Sequence, residues 1–271
     1  MDEPLPIYIG WDQREDEAYQ VCKLSIVRRT SIPVHIMPLK INDMIHRGLY
    51  KRTWHRSQTG QRIDDKDGKP FSTDFSFTRF LVPALQGYRG IAIFCDCDFL
   101  YRADVAELAE YAMGRSDGLD RSKAVWVVQH QHNPKELYKM DRQEQTRYRR
   151  KNWSSLILWN CAHPAHRELT QEAVNEKPGS WLHGFEWLKD EEIGSLPVEW
   201  NWLEGWSPPD INPKVVHYTR GGPWFEDYQD VQYAKDWTTE KRVIEESVND
   251  DGAGFFRVPF RHPPVKEAAD D

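Results

Sequence analysis

The feature that most constrains the fold is the apolar run Ile91-Ala92-Ile93-Phe94, which leads through Cys95 into Asp96-Cys97-Asp98. A short continuous apolar run reads as a strand buried on both faces, the kind found in the parallel sheets of α/β domains. In an open α/β sheet, ligands bind beyond the carboxyl ends of the strands. Alternation along an extended chain sets Asp96 and Asp98 on one side and Cys97 on the other. Two carboxylates held together need a counter-charge. A divalent cation that bridges to diphosphate oxygens supplies it, and hard oxygen ligands suit Mg²⁺ or Mn²⁺.

Other segments extend the α/β pattern. Pro6-Ile7-Tyr8-Ile9-Gly10 reads as a first strand, and Asp12 as the cap of a helix whose inner face carries Ala18, Val21, Cys22, Ser25 and Ile26. Val34-His35-Ile36-Met37 follows as a second strand, completing the opening of a βαβ unit. Residues 43–72, with Gly60, Asp64, Asp65, Asp67 and Gly68, read as a long irregular loop. Phe77, Phe80, Leu81, Ala84 and Leu85 share a helical face that Pro83 makes irregular. Ala124–Val128 and Ser155–Trp159 are two further strands, and the charged stretch between them, 139–151, reads as a solvated helical face. Lys214-Val215-Val216-His217 is a short strand before the turn Arg220-Gly221-Gly222-Pro223.

At 271 residues the chain suits one large domain, placed at 1–248, with a C-terminal extension at 249–271 whose acidic end reads as poorly ordered. With 43 acidic and 36 basic side chains the net charge is -7, which argues against a nucleic-acid-binding surface. The four cysteines lack zinc-site spacing, and Cys95 and Cys97 are too close for an unstrained disulfide, so a reducing cytoplasm is the expected setting. Met1-Asp2-Glu3-Pro4 lacks a secretion-signal pattern, and no apolar stretch approaches the ~20 residues of a spanning helix. Association with the inner face of a membrane stays open, as does the oligomeric state.

His217 ends an apolar strand before two glycines, where backbone can approach a phosphate. As a ligand it would favour Mn²⁺ over Mg²⁺. His130 and His132, just after a strand, could bind a metal or acceptor hydroxyls, or simply open a polar loop. The 12 tryptophans could stack on sugar faces or fill the core.

In this order the motifs resemble the glycosyltransferases of family 8, the glycogenin and bacterial galactosyltransferase group. Gly10-Trp11-Asp12 with Tyr19 resembles that family's first nucleotide-binding segment. Phe77-Thr78-Arg79-Phe80-Leu81-Val82-Pro83 is similar to its Tyr-x-Arg-Leu-x-x-Pro helix, and Asp96-Cys97-Asp98 to its Asp-x-Asp metal motif. The stretch Asn152–Asn160 resembles the strand beside the donor sugar, Leu196-Pro197 with Trp200-Asn201 the segment after it, and His217–Trp224 the C-terminal metal and phosphate motif. The likeness spans residues 6–225.

It implies an α/β GT-A (nucleotide-diphospho-sugar transferase) fold, with a Rossmann-like, mixed but mainly parallel sheet flanked by helices. It implies transfer of a sugar, with retention, from a nucleoside diphosphate sugar, UDP-linked, to an acceptor hydroxyl of a glycan or glycoconjugate. Asp96, Asp98 and His217 would hold the metal, with Arg79 joining Asp96 and Asp98 in catalysis. Tyr8, Gly10, Asp12, Arg79, Asp96, Asn152, Ser155, Arg220, Gly221 and Gly222 would bind the nucleotide sugar. His130, His132, His183 and Glu186 are acceptor candidates. The chain departs from the family where Gly222 replaces a Lys and Ser155 a Gly. The family's Asp-Gln-Asp segment has only His183, Glu186, Asp190, Glu191 and Glu192 nearby. Two rival readings remain: a metal-dependent hydrolase built on the Asp and His residues, and a non-catalytic sugar-nucleotide-binding module.

Overall fold

A computed structural model describes residues 3–113, 120–131, 150 and 152–251, with the backbone alone at 248–251. In chain order its elements are β1 (Leu5–Gly10), α1 (Asp16–Val27), β2 (Val34–Leu39), α2 (Ile41–His46), β3 (Trp54–Arg56), β4 (Arg62–Asp64) and β5 (Pro70–Phe71). Next come α3 (Val82–Leu85), β6 (Ile91–Cys95), β7 (Phe99–Tyr101), α4 (Val105–Ala109), β8 (Val125–Val128) and β9 (Leu156–Asn160). The last are α5 (Gln171–Glu176), α6 (Gly179–His183), β10 (Ile193–Leu196), β11 (Trp202–Leu203), β12 (Val215–His217) and α7 (Ala234–Asp251).

Six strands form the main sheet in the order β10-β8-β9-β6-β1-β2. β1 lies parallel to β2 and β6, and β10 parallel to β8, while β9 runs against both of its neighbours. The apolar runs read from the sequence are the central strands: β6, β8 and β9 are buried almost throughout, as strands covered on both faces must be. The expected mixed, mainly parallel α/β sheet is therefore present.

Asp12 caps the first helical turn, its Oδ1 accepting from the Arg14 N–H at 3.1 Å. α1 then buries Tyr19, Cys22 and Ile26 against the sheet, while Val21 faces a second core. That second core lies under a small sheet, β11-β12-β7, in which His217 pairs with Phe99 and Val216 with Leu100. Trp202, Tyr218 and Trp237 of α7 complete it. α7 is held to α1 by Glu240, which accepts from Arg28 at 2.8 Å and Arg29 at 2.7 Å.

One segment differs from expectation. Residues 43–72 are not an irregular loop: α2 enters them, and β3, β4 and β5 form a three-stranded meander. Arg52 anchors it through a buried ion pair with Asp64 and bonds to the Val174 and Lys177 carbonyls. At the other end, α7 continues to Asp251, past residue 248, and 252–271 lie outside the described residues. The charged stretch 139–149 and residue 151 also lie outside them.

Candidate metal and nucleotide-sugar site

β6 stops at Cys95, and Asp96-Cys97-Asp98 forms the turn into β7. The expected strand alternation is replaced by a turn, yet the division of side chains is the same. Cys97 is wholly buried, while the Asp96 and Asp98 side chains each keep 15% exposure. Backbone bonds fix the turn on both sides: Asp96 N donates to Ser155 O at 2.9 Å, and Tyr218 N donates to Asp98 O at 3.0 Å. The second bond continues the β7–β12 ladder, so the register that pairs Phe99 with His217 also brings the imidazole to the acidic turn. One ligand atom each from Asp96, Asp98 and His217 lies within 4.8 Å of the other two. His217 Nε2 is 3.4 Å from Asp98 Oδ2, and its ring stacks on Phe99 at 4.4 Å between centroids.

A chain of hydrogen bonds sets the imidazole tautomer. Ser155 Oγ donates to Asn152 O at 2.8 Å, so that hydroxyl is left to accept from Asn201 Nδ2 at 2.9 Å. Asn201 Oδ1 must then accept, and its partner at 2.8 Å is His217 Nδ1. Nδ1 therefore carries a proton, and Nε2 is the ring nitrogen turned toward the two aspartates. On the other side, buried Arg79 pairs with Asp96 at 2.8 Å and donates to Ser154 O at 2.7 Å. Asp96, Arg79, the turn Asn152–Ser155, Asn201, His217 and Asp98 thus form one connected rim. Two carboxylates and an imidazole nitrogen are a donor set that fits a divalent cation.

Sequence reasoning missed Glu15, which is 2% exposed and lies behind this turn. Its Oε2 accepts from the Cys97 thiol at 3.3 Å, and its Oε1 has no partner among the described residues. Burial, reinforced by the nearby Asp98 charge, pushes its carboxyl up to about 8. A glutamate on a helical approach looks solvent-facing in sequence, and only the contact with Cys97 reveals it.

Other expected residues fall into groups. Asn152 adopts a left-handed conformation (φ 64°) at the start of the turn Trp153–Ser155, and its carbonyl takes the Ser155 bond. Ser155 is buried, with its hydroxyl engaged by Asn201. Arg220 follows His217 by three residues and pairs with Glu204 at 3.0 Å. It lies against Gly205, where a Cβ would meet the guanidinium at 2.0 Å. Gly221 has φ 134°, a conformation that favours glycine, and a Cβ on Gly222 would meet the Trp224 ring at 2.0 Å.

Gly10 allows the Phe75 ring to pack where a Cβ would come within 2.4 Å of it. Asp12 is 1% exposed and accepts from Arg14 Nε and Nη2, the Arg14 N–H and the Asp74 N–H. Burial opposes its ionisation, but the Arg14 bonds outweigh burial and hold the carboxyl below its usual range. Tyr8 is a core residue whose hydroxyl accepts from Gln86, so the structure does not bring it to the site.

The acceptor candidates lie to one side. His183 is 2.8 Å from Ser154 Oγ and packs edge-on against Phe80. Glu186 sits exposed in the turn after α6. The His130 carbonyl accepts from Trp153 Nε1 at 3.0 Å, and the histidine does not join the Asp96–Asp98–His217 group. His132 lies outside the described residues. Among the described residues, no helix is long and apolar enough to cross a membrane.

No protein-family model matches the chain. Among solved structures, it resembles the glycosyltransferase GlyE of Streptococcus pneumoniae TIGR4 at TM-score 0.54 and 12% identity, over 89% of this chain and 60% of that one. It also resembles the galactosyltransferase LgtC at TM-score 0.51 and 11% identity, over 88% of this chain and 96% of that one. These likenesses place the fold with the GT-A glycosyltransferases. In sequence, the chain is 48% identical to "Protein CDI" of Arabidopsis thaliana over 243 residues, which cover 88% of this chain and 86% of that one. The chain therefore belongs to the family of Protein CDI, and its fold is that of the GT-A glycosyltransferases.

Proposed function

We propose that the protein is a metal-dependent glycosyltransferase that moves a sugar from a nucleoside diphosphate sugar, UDP-linked, to an acceptor hydroxyl of a glycan or glycoconjugate. The observation that carries this reading is the convergence of Asp96, Asp98 and His217 beyond the carboxyl end of β6, in a fold shared with glycosyltransferases. The three side chains would hold the cation, with Mn²⁺ favoured over Mg²⁺ by the imidazole. When bound, such a cation stabilises negative charge on a departing diphosphate.

The chain's own residues have complementary tasks in this reading. Arg79 neutralises Asp96 and, through Ser154 O, keeps the turn Asn152–Ser155 against the acidic pair. Arg220, beside the Gly221-Gly222 turn, would supply positive charge in place of the Lys of the family 8 motif. Glu204 fixes its direction. Gly10 and Asp12 would shape the nucleotide end, with Asp12 acting through Arg14 because its own oxygens are engaged. Retention of configuration is the stereochemistry implied by the family 8 resemblance, and it is checked by NMR of the new linkage. The hydrolase alternative predicts metal-dependent release of product by water with no nucleotide requirement, and among the described residues His130 stands outside the three-residue group it would draw on.

Thermal unfolding with UDP, GDP and their sugars, each with Mn²⁺, Mg²⁺ or EDTA, tests the reading. A nucleotide at a hundred times its Kd should raise the midpoint by roughly 5–10 °C, with Mn²⁺ present and not with EDTA. No response under any metal condition sinks the proposal. Binding without transfer or donor hydrolysis would favour the non-catalytic module. Asp98→Asn should abolish metal-dependent donor turnover.

A further inference from the structure

A cavity of about 340 Å³ is lined by Gln129, His130, Arg150, Trp153, Asp190 and Ile193. Its volume lies in the range of small-molecule pockets, roughly 300–1,000 Å³. Exposed Gln129 and Asp190 stand at the mouth, and buried Arg150 and Ile193 at the floor, with half-buried Trp153 between them. Trp153 is fixed in place: its Nε1 donates to the His130 carbonyl, and the Arg150 guanidinium lies 5.6 Å from its ring centroid. The aromatic surface is thus preorganised rather than recruited.

The two described charges of the lining, Arg150 and Asp190, face each other. Arg150 gives Nη1 to the Gly184 and Phe185 carbonyls and Nη2 to Asp190, in an ion pair that holds the carboxylate at the mouth. Among the described residues, an anion would find no uncommitted positive charge there. What the described lining offers beside the Trp153 ring is the Gln129 amide, which both donates and accepts, and the buried Arg150 Nε–H, which has no partner among the described residues. Mixed donors and acceptors around an aromatic ring match a ligand with C–H groups on its faces and hydroxyls on its rim, each hydroxyl both donating and accepting.

We propose that this cavity is a binding subsite for a neutral pyranose, a sugar unit of the acceptor glycan. The acceptor role rests on the glycosyltransferase reading, whereas the sugar-binding chemistry rests on the cavity alone. The chain continuity between Trp153 and the metal site supports the assignment. Trp153 belongs to the turn whose next two residues hold Arg79, through Ser154 O, and Asn201, through Ser155 Oγ. A sugar against Trp153 therefore lies one turn of chain away from the groups that set the metal ligands.

Saturation-transfer NMR on the full chain, in EDTA and without nucleotide, tests the subsite with lactose, cellobiose and maltose, and with digalacturonate as the anionic comparison. At least one neutral disaccharide should receive saturation. The effect should fall at least fivefold in Trp153→Ala and Asp190→Asn, and persist in Trp153→Tyr and Asp98→Asn. If circular dichroism shows Trp153→Ala unfolded, Gln129→Ala and Asp190→Asn carry the test. No saturation from any neutral disaccharide, a response to digalacturonate alone, or an undiminished signal in folded cavity variants overturns the inference. Sugar binding without a nucleotide response would overturn the proposed function and leave the subsite standing; the converse would overturn the subsite alone.

Discussion

Asn201 is fully buried, and its two amide bonds decide which nitrogen of His217 faces the acidic pair. Replacing it by Ala leaves the Nδ1 proton and the Ser155 hydroxyl without their partner, at a cost of about 1–3 kcal/mol in stability. Metal affinity should drop roughly 10–100-fold, as is typical when a ligand's supporting bond is lost. Calorimetric Mn²⁺ titration beside urea unfolding separates the two effects.

Glu15 makes a different prediction, with a definite sign. Its native carboxyl titrates near 8, above the ordinary 4.5, so between these values the unfolded chain has released a proton that the native protein keeps. Metal-free stability should therefore fall through this group as pH rises from 4.5 to 8, by at most about 1.4 kcal/mol per pH unit. His166 acts oppositely. Burial lowers it to about 4 from 6.5, so its contribution is present above 6.5 and lost as pH falls towards and through 4. Urea midpoints of wild type and Glu15→Gln in EDTA, compared from pH 5 to 8, isolate the Glu15 part, because His166 is common to both. A constant difference between the two curves would show that Glu15 ionises normally.

At the scale of elements, sequence was informative where one property dominates a segment. β1, β6, β8 and β9 are buried apolar runs, and the turn after β6 was placed by the run before it. The meander was obscured because Gly60, Gly68 and the acidic residues 64, 65 and 67 look like loop composition. Its stability comes from distant partners: Arg52 pairs with Asp64, caps the end of α5 and lies 4.1 Å from the Phe77 centroid. Nothing local announces those contacts. Arg52→Ala strands a buried carboxylate and should destabilise the protein by about 3–5 kcal/mol, whereas Arg52→Met with Asp64→Leu should cost much less. Equal losses in the two variants, read by denaturant unfolding, would contradict this account. α7 was missed for a related reason: few of its positions are apolar, and the buried contacts belong chiefly to Trp237 and to Glu240 held by two arginines.

For the whole molecule, Trp237 joins the C-terminal helix to the strands that carry the site. It packs in the core formed by Leu100 of β7, Trp202 of β11 and Val216 of β12. Trp237→Ala should lower stability by about 3–5 kcal/mol and weaken Mn²⁺ binding as well, although the residue lies outside the site. A loss of stability with metal affinity unchanged would show that α7 supports the fold without supporting the ligands.

The pairing of β7 with β12 has a consequence in time. The acidic turn is made early on the ribosome, but its imidazole arrives only with the last strand of the small sheet. A nascent chain halted after β10 would carry Asp96 and Asp98 without their third partner. Cation capture would then mark the closing of the fold rather than its beginning, and tight binding would report that synthesis has passed residue 217 and that the final strand has zipped into register.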